Sequence, residues 1–255
     1  ENELRHAIEC RHFVLLYQPI ISLKKGRICG FEALVRWQHP ERGMINPLSF
    51  IPLAEETGLI IPLGRWVLQE ACMQMSQWQK QFRAKTLPTV SVNVSFKQFL
   101  QGDFVEDVAQ ILHESKLASG TLSLELTESG IIQNTDIFLR LFSELRALKV
   151  EFHIDDFGTG YSSLSYLSRF KFDKLKIDRS FLGPKTKTNR NPEMLSSIVD
   201  IAHNLKIPMV AEGIETRANL KKIRDLGCEY GQGYFFAKPL ESEKIPNLLS
   251  TNPHW

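Results

Sequence analysis

A TIM-like (β/α)8 barrel with an antiparallel first strand is the fold that this 255-residue sequence predicts. Three observations carry that expectation. Strand-like and helix-like segments alternate through most of the chain, which specifies a parallel sheet covered by helices. The length fits one such barrel, typically about 250 residues. Acidic or amide residues stand near the ends of successive strands rather than at one switch point, and no GxGxxG turn follows the first strand. The alternative, an open doubly wound sheet, is therefore disfavoured.

Residues 3–12 read as a short helix, and "FVLLYQPII" as a strand with Pro19 near its end. A turn at "SLKKGR" leads into a second strand, "ICGFEALVRW", so the opening reads as a hairpin. "FIPLAEETG" and "RWVLQEACMQMSQWQKQF" are expected to be helical, punctuated by Gly58 and Gly64, before the strand "TVSVNVS". The remaining strands are "LSLELTE", "EFHIDDF", "KLKIDRSF", "PMVAEGIE" and "YGQGYFF". Between them, "NTDIFLRLFSELRALK", "PEMLSSIVDIAHNL" and "RANLKKIRDLG" carry apolar residues at the three- and four-residue spacing of helices packed on a sheet. Residues 183–192 read as an exposed loop, so residues 1–255 are expected to form a single domain.

Hydrophobic residues make up 43% and charged residues 24%, enough for a large core and a solvated surface, which excludes disorder. With a formal charge of +2 and no long basic block, a nucleic-acid polymer is not an expected partner. Cys10, Cys29, Cys72 and Cys228 form no CxxC pair, so a cytoplasmic, reducing setting is expected. No apolar run approaches the roughly 20 residues of a membrane span. The chain begins without Met, and is expected to be a domain cut from a longer protein whose flanking segments would carry any membrane anchor.

The residues at the strand ends are Glu32, Asn93, Glu125, Asp155, Asp156, Lys176, Asp178, Glu212, Glu215 and Gln232. Carboxylates are costly beside apolar strands unless cations compensate them, and oxygen ligands without His or Cys favour magnesium, manganese or calcium. His153 would share the strand face of Asp155, but a lone His there reads as packed or hydrogen-bonded rather than as a ligand. Asp155 and Asp156 can address one site only where the strand turns, and Gly158 and Gly160 are expected to supply the turn. The alternative is that both merely cap the following "YSSLSYL" helix. Glu128 has two readings, site residue or cap of the helix near Asn134. Lys176 and Asp178 are expected on one strand face, with the Lys stabilised by neighbouring carboxylates or engaged in a plain structural ion pair. Glu212, beside Gly213, is placed to take a proton from a metal-bound water.

Glu32-Ala33-Leu34 within "FEALVRW", together with "YQPI", "FIPLAEETGLI", "VNVS", "ELTES", "DDFGTGYSSL", "KIDRSF", "AEGIET" and "GQGYFFAKP", resembles the EAL-domain family of cyclic-di-GMP phosphodiesterases from about residue 12 to residue 240. The resemblance implies hydrolysis of cyclic-di-GMP to linear pGpG at a two-cation site, with Mg2+ or Mn2+. It places Glu32, Asn93, Glu125 and Asp155 on the first cation, and Asp155, Asp156 and Glu212 on the second. Lys176 would position the attacking water or stabilise developing charge, and Glu212 would be general base or metal ligand. Glu215 and Gln232 would support these groups, and Glu128 would order the loop after Asp155-Asp156. Gln18, Leu34, Arg36, Asp178, Gln232 and Pro239 would lie along the substrate. A homodimer and flanking sensory or regulatory domains are the further partners implied. Lys171 stands where Pro is common, and "NLKIP" replaces a Gly-containing turn, but neither touches an implied ligand. The rival reading is a silent cyclic-di-GMP receptor or interaction module, disfavoured because Glu32, Lys176 and Glu212 are all present.

Overall fold

The alternation read from the sequence closes into a ring. The computed structural model describes residues 1–82, 88–128, 135–158, 167, 169–183 and 192–255. Helix α1 (Asn2–Glu9) precedes the hairpin β1 (Phe13–Ser22) and β2 (Arg27–His39), and a short β3 (Gly43–Ile45) folds back on β2. Then come α2 (Pro47–Thr57), α3 (Ile60–Gln81), β4 (Thr89–Asn93), α4 (Phe96–Phe99), α5 (Phe104–Ser115), β5 (Leu122–Thr127) and α6 (Thr135–Ala147). Next are β6 (Glu151–Phe157), β7 (Lys174–Ile177), a single 3-10 turn (Arg179–Phe181), α7 (Pro192–Leu205), β8 (Met209–Ala211) and α8 (Arg217–Asp225). The chain finishes through β9 (Tyr230–Gly231), β10 (Leu240–Glu241), another 3-10 turn (Ser242–Lys244) and α9 (Ile245–Thr251).

Strand β1 pairs antiparallel with both β2 and β9, and β2-β4-β5-β6-β7-β8-β9 follow in parallel, closing a barrel of eight strands. Strands β3 and β10 are antiparallel extensions on β2 and β1. The antiparallel opening follows from the "SLKKGR" turn, which is too short for a crossover helix. Closure leaves no free edge among the barrel strands, so their backbone groups are satisfied by neighbours.

Two apolar layers hold the ring. Helix α3 buries Leu63, Val67, Leu68, Ala71, Met75 and Trp78, the recurrence expected of a helix lying on a sheet. Trp78 packs edge-on against Tyr17 with ring centroids 4.7 Å apart; truncating a buried Trp of this kind costs about 3–5 kcal/mol. On the opposite flank Phe142 stacks on Phe152 at 4.3 Å, clamping α6 onto β6, and Phe138 meets Phe170, in the segment before β7, at 4.9 Å.

Several local expectations are revised. Gly64 does not punctuate a helix; it lies inside α3, where an added Cβ would sit 2.1 Å from Gln98 Oε1, so its role is to admit the buried Gln98 side chain of α4. Strand β7 ends at Ile177, and Asp178 caps the turn that follows, its Oδ1 accepting from Ser180 N at 3.0 Å. Strands β8 and β9 are three and two residues long, shorter than their apolar runs. The segments 159–166 and 184–191 lie outside the described residues, and with them most of the expected "YSSLSYL" helix and of the 183–192 loop.

Candidate active site

The barrel mouth gathers the strand-end residues because parallel register sets them side by side. Glu32 faces Gln18 across the hairpin, Asn93 is level with Glu125, and Thr127 is level with Asp155. Lys176 rises from β7, Glu212 follows β8 immediately, and Gln232 follows β9. Four carboxylates of this ring converge on Lys176. Its ammonium lies 2.6 Å from Glu125 Oε2, 2.7 Å from Glu212 Oε1, and 3.3 Å from both Glu32 Oε1 and Asp155 Oδ1. Asn93 Nδ2 donates to Glu32 Oε1 at 2.7 Å, and Gln232 Nε2 donates to Glu32 Oε2 at 2.7 Å and Gln18 Oε1 at 2.9 Å. Gln18 in turn donates to Ala237 O at 3.1 Å, tying the last crossover to the ring.

One ammonium cannot balance four carboxylates. Burial pushes Glu32 up to about 7 against the pull of Lys176. It raises Glu212 well above the usual carboxylate range, and raises Asp155 as well. Glu125 goes the other way: burial is outweighed by Lys176 and by a hydrogen bond from His153, so it stays ionised. Burial alone would lower Lys176, but the surrounding carboxylates raise it well above the free-lysine value, so it remains an ammonium. Among the described residues no three His, Cys, Asp or Glu side chains form a ready metal cage; Lys176 takes the point on which they meet.

A cavity of about 280 Å³ opens over this ring, lined by Gln18, Glu32, Leu34, Asn93, Asp155, Lys176, Glu212, Glu215 and Gln232. Arg179, Gly213, Gly233 and Tyr234 complete the wall; the motifs containing them were legible, but nothing in the sequence turned these four toward the mouth. Glu215 is solvent-exposed at the rim. Asp156 lies elsewhere. It is exposed, in the left-handed region at φ 53°, with its N–H donating to Asp155 Oδ1 at 3.0 Å, and it borders a neighbouring cavity. The turn between the paired aspartates is thus made by a register shift against β7 with Asp156 itself left-handed, ahead of Gly158. Buried Glu128 reaches that turn, its Oε2 accepting from Gly158 N at 3.3 Å.

The neighbouring cavity, about 430 Å³ and mostly apolar, runs from Leu34 and Arg36 along α2 and α3 past Pro47, Leu48 and Ile51. It shares Leu34, Asn93 and Asp155 with the first. Arg36 donates to Val35 O at 2.8 Å, and partial burial lowers its guanidinium pKa. Leu48 is 81% exposed, an apolar side chain presented to solvent beside this cavity. Asp178 and Pro239 border neither space.

The family model for the EAL domain matches residues 1–239. The bifunctional diguanylate cyclase/cyclic di-GMP phosphodiesterase MucR of Pseudomonas aeruginosa is 41% identical over 244 residues, which are 96% of this chain and 35% of that protein. The cyclic di-GMP phosphodiesterase NbdA of the same organism is 40% identical over 249 residues, 98% of this chain and 32% of that protein. The chain therefore spans about a third of the length of these curated relatives. A solved structure described as PaMucR phosphodiesterase in complex with c-di-GMP superposes with a TM-score of 0.89 at 40% identity, covering 96% of this chain and 98% of that one.

Proposed function

This chain belongs to the EAL-domain family, and on that premise we propose that it hydrolyses one phosphodiester of cyclic-di-GMP to give linear pGpG. The observation that carries the reading is the ring of four carboxylates and Asn93 around the Lys176 ammonium at the barrel mouth.

The ring also fits divalent cations, Mg2+ or Mn2+. Its donors are all oxygen-bearing, as hard cations require, and three of its carboxylates are held above their usual pKa by burial and by one another's charge, which a bound cation would offset. Gln232 Oε1 is buried at the cavity wall without a hydrogen-bond partner among the described residues. Glu32, Asn93, Glu125 and Asp155 would hold one cation, and Asp155 and Glu212 would hold a second; Asp156, turned to the neighbouring cavity, stands outside this set. Cations held there would supply charge to offset the phosphate and would lower the pKa of an attacking water.

The protein's own groups do the rest. Lys176, fixed by four carboxylates, keeps its proton and offers a permanent positive charge to the phosphoryl oxygens as they gain charge. Glu212, raised above the ordinary carboxylate range by burial, is the side chain placed beside Lys176 to take a proton from water. Asn93 and Gln232 donate to the two oxygens of Glu32, and Gln18 anchors Gln232, so this carboxylate is in place before substrate arrives. Glu128 holds the turn that carries Asp155 and Asp156. The two joined cavities suit a ligand with a charged centre and flat apolar ends: phosphate over Lys176, a guanine against Leu34 and α2, and Arg36 between them. Incubation of the protein with cyclic-di-GMP and Mn2+, followed by chromatography, tests the reading. Cation-dependent pGpG is expected, and intact substrate under every cation condition would refute it.

A further inference from the structure

Beneath the mouth, a second polar layer lies inside the barrel. Parallel register sets Glu125 of β5, His153 of β6 and Lys174 of β7 side by side at one level. His153 is 1% exposed. Its Nδ1 is 3.4 Å from Glu125 Oε1, while the other oxygen of Glu125 takes the Lys176 ammonium at 2.6 Å. On its far side His153 Nε2 is 3.2 Å from Lys174 Nζ. Lys174 is itself anchored to Glu151 Oε2 at 3.2 Å, and Ser123 Oγ donates to the same oxygen at 3.3 Å. A barrel interior is usually filled by branched apolar side chains, and a connected polar layer directly under a carboxylate ring calls for a purpose.

We infer that His153 is a positioning residue: its Nδ1–H fixes the carboxylate of Glu125 from below, and the Lys174-Glu151-Ser123 group fixes His153. The inference rests on the cation-binding reading of the ring above, but not on which nucleotide is cleaved. Nε2 faces Lys174 Nζ at 3.2 Å, which has only protons to offer, and the carboxylate oxygen Glu151 Oε2 at the longer distance of 3.6 Å, so Nε2 accepts from Lys174 and the proton stands on Nδ1, facing Glu125. Glu125 is then gripped at both oxygens and cannot rotate. Ligand carboxylates oriented in this way lose about 10- to 100-fold in metal affinity when the orienting partner is removed.

The direct test is the 15N spectrum of the His153 ring in the native protein. A protonated Nδ1 supports the assignment, and a bare Nδ1 overturns it. The functional test measures Mn2+ affinity by calorimetry for the native protein, His153→Leu and His153→Asn. Leucine should weaken Mn2+ binding about 10- to 100-fold, while asparagine, which keeps a donor near the Nδ1 position, should stay within about threefold of the native value. Equal affinities in all three proteins, an equal loss in both variants, or a native protein that takes up no Mn2+ would each overturn it. Should His153→Leu fail to fold, the ring spectrum and His153→Asn still decide. A protein that takes up Mn2+ and responds to these substitutions, yet leaves cyclic-di-GMP intact, would contradict the substrate and leave His153 in its role.

Discussion

Replacing Lys176 with Met should make folding depend on pH and on divalent cations. The ammonium is 1% exposed and lies within 3.3 Å of oxygens from four carboxylates. Removing one partner of a buried ion cluster costs about 3–5 kcal/mol, because the charges left behind are stranded. The cost should be greatest at pH 8 in the presence of a chelator. At lower pH the stranded carboxylates can take up protons, and Glu32 is already poised at about 7; each pH unit is worth about 1.4 kcal/mol per proton gained. A divalent cation at about 100 times its dissociation constant would return about 2.7 kcal/mol. Urea unfolding followed by tryptophan fluorescence, at pH 6 and pH 8 with EDTA or Mg2+, measures all of this. A Lys176→Met midpoint equal to the native one at pH 8 in EDTA, or a loss that neither acid nor Mg2+ relieves, would refute the account of Lys176 as the counterion of the ring.

Other outcomes follow from the same geometry. Asp155→Asn should abolish turnover while leaving the far-ultraviolet circular dichroism unchanged; retained activity with normal cation dependence would contradict the ligand assignment. Glu128→Ala removes the acceptor of Gly158 N and should lower kcat about 10- to 100-fold with KM little changed, checked by steady-state kinetics. In EDTA the native protein should lose stability as pH rises from 5 to 8. Burial raises Glu32 to about 7 in the folded protein from the 4.5 of a free carboxyl, so its contribution is present below 4.5 and disappears as pH climbs through about 7, amounting to about 3 kcal/mol. Asp155 and Glu212 shift in the same direction, whereas the depressed Glu125 and Glu151 act only at more acidic pH. Urea titrations across that range would show it, and a flat profile would contradict the shifts.

The barrel was legible because its signals are local: apolar runs of strand length, helical periodicity between them, and a short turn after β1. The ring residues were legible because carboxylates at strand ends are conspicuous against apolar neighbours. What escaped the sequence depends on closure of the barrel. Periodicity cannot say that β7 stops before Asp178 or that Gly64 makes room for Gln98. A single His on an apolar strand reads as packed or hydrogen-bonded, but only the register that sets it between Glu125 and Lys174 reveals its partners. The apolar cavity along α2 is built from Pro47, Leu48 and Ile51, residues with no chemistry of their own, so nothing in their identity marked them. Asp156, paired with Asp155 in the sequence, is carried to a different cavity by a backbone irregularity of one residue.

The most direct test of the central claim is hydrolysis of cyclic-di-GMP in 18O-labelled water with Mg2+ or Mn2+, read by mass spectrometry beside an EDTA control. The account predicts cation-dependent linear pGpG carrying one 18O atom on its terminal phosphate. Cyclic-di-GMP that binds to the protein and stays cyclic with either cation would contradict it, and would make the barrel mouth a receptor site instead.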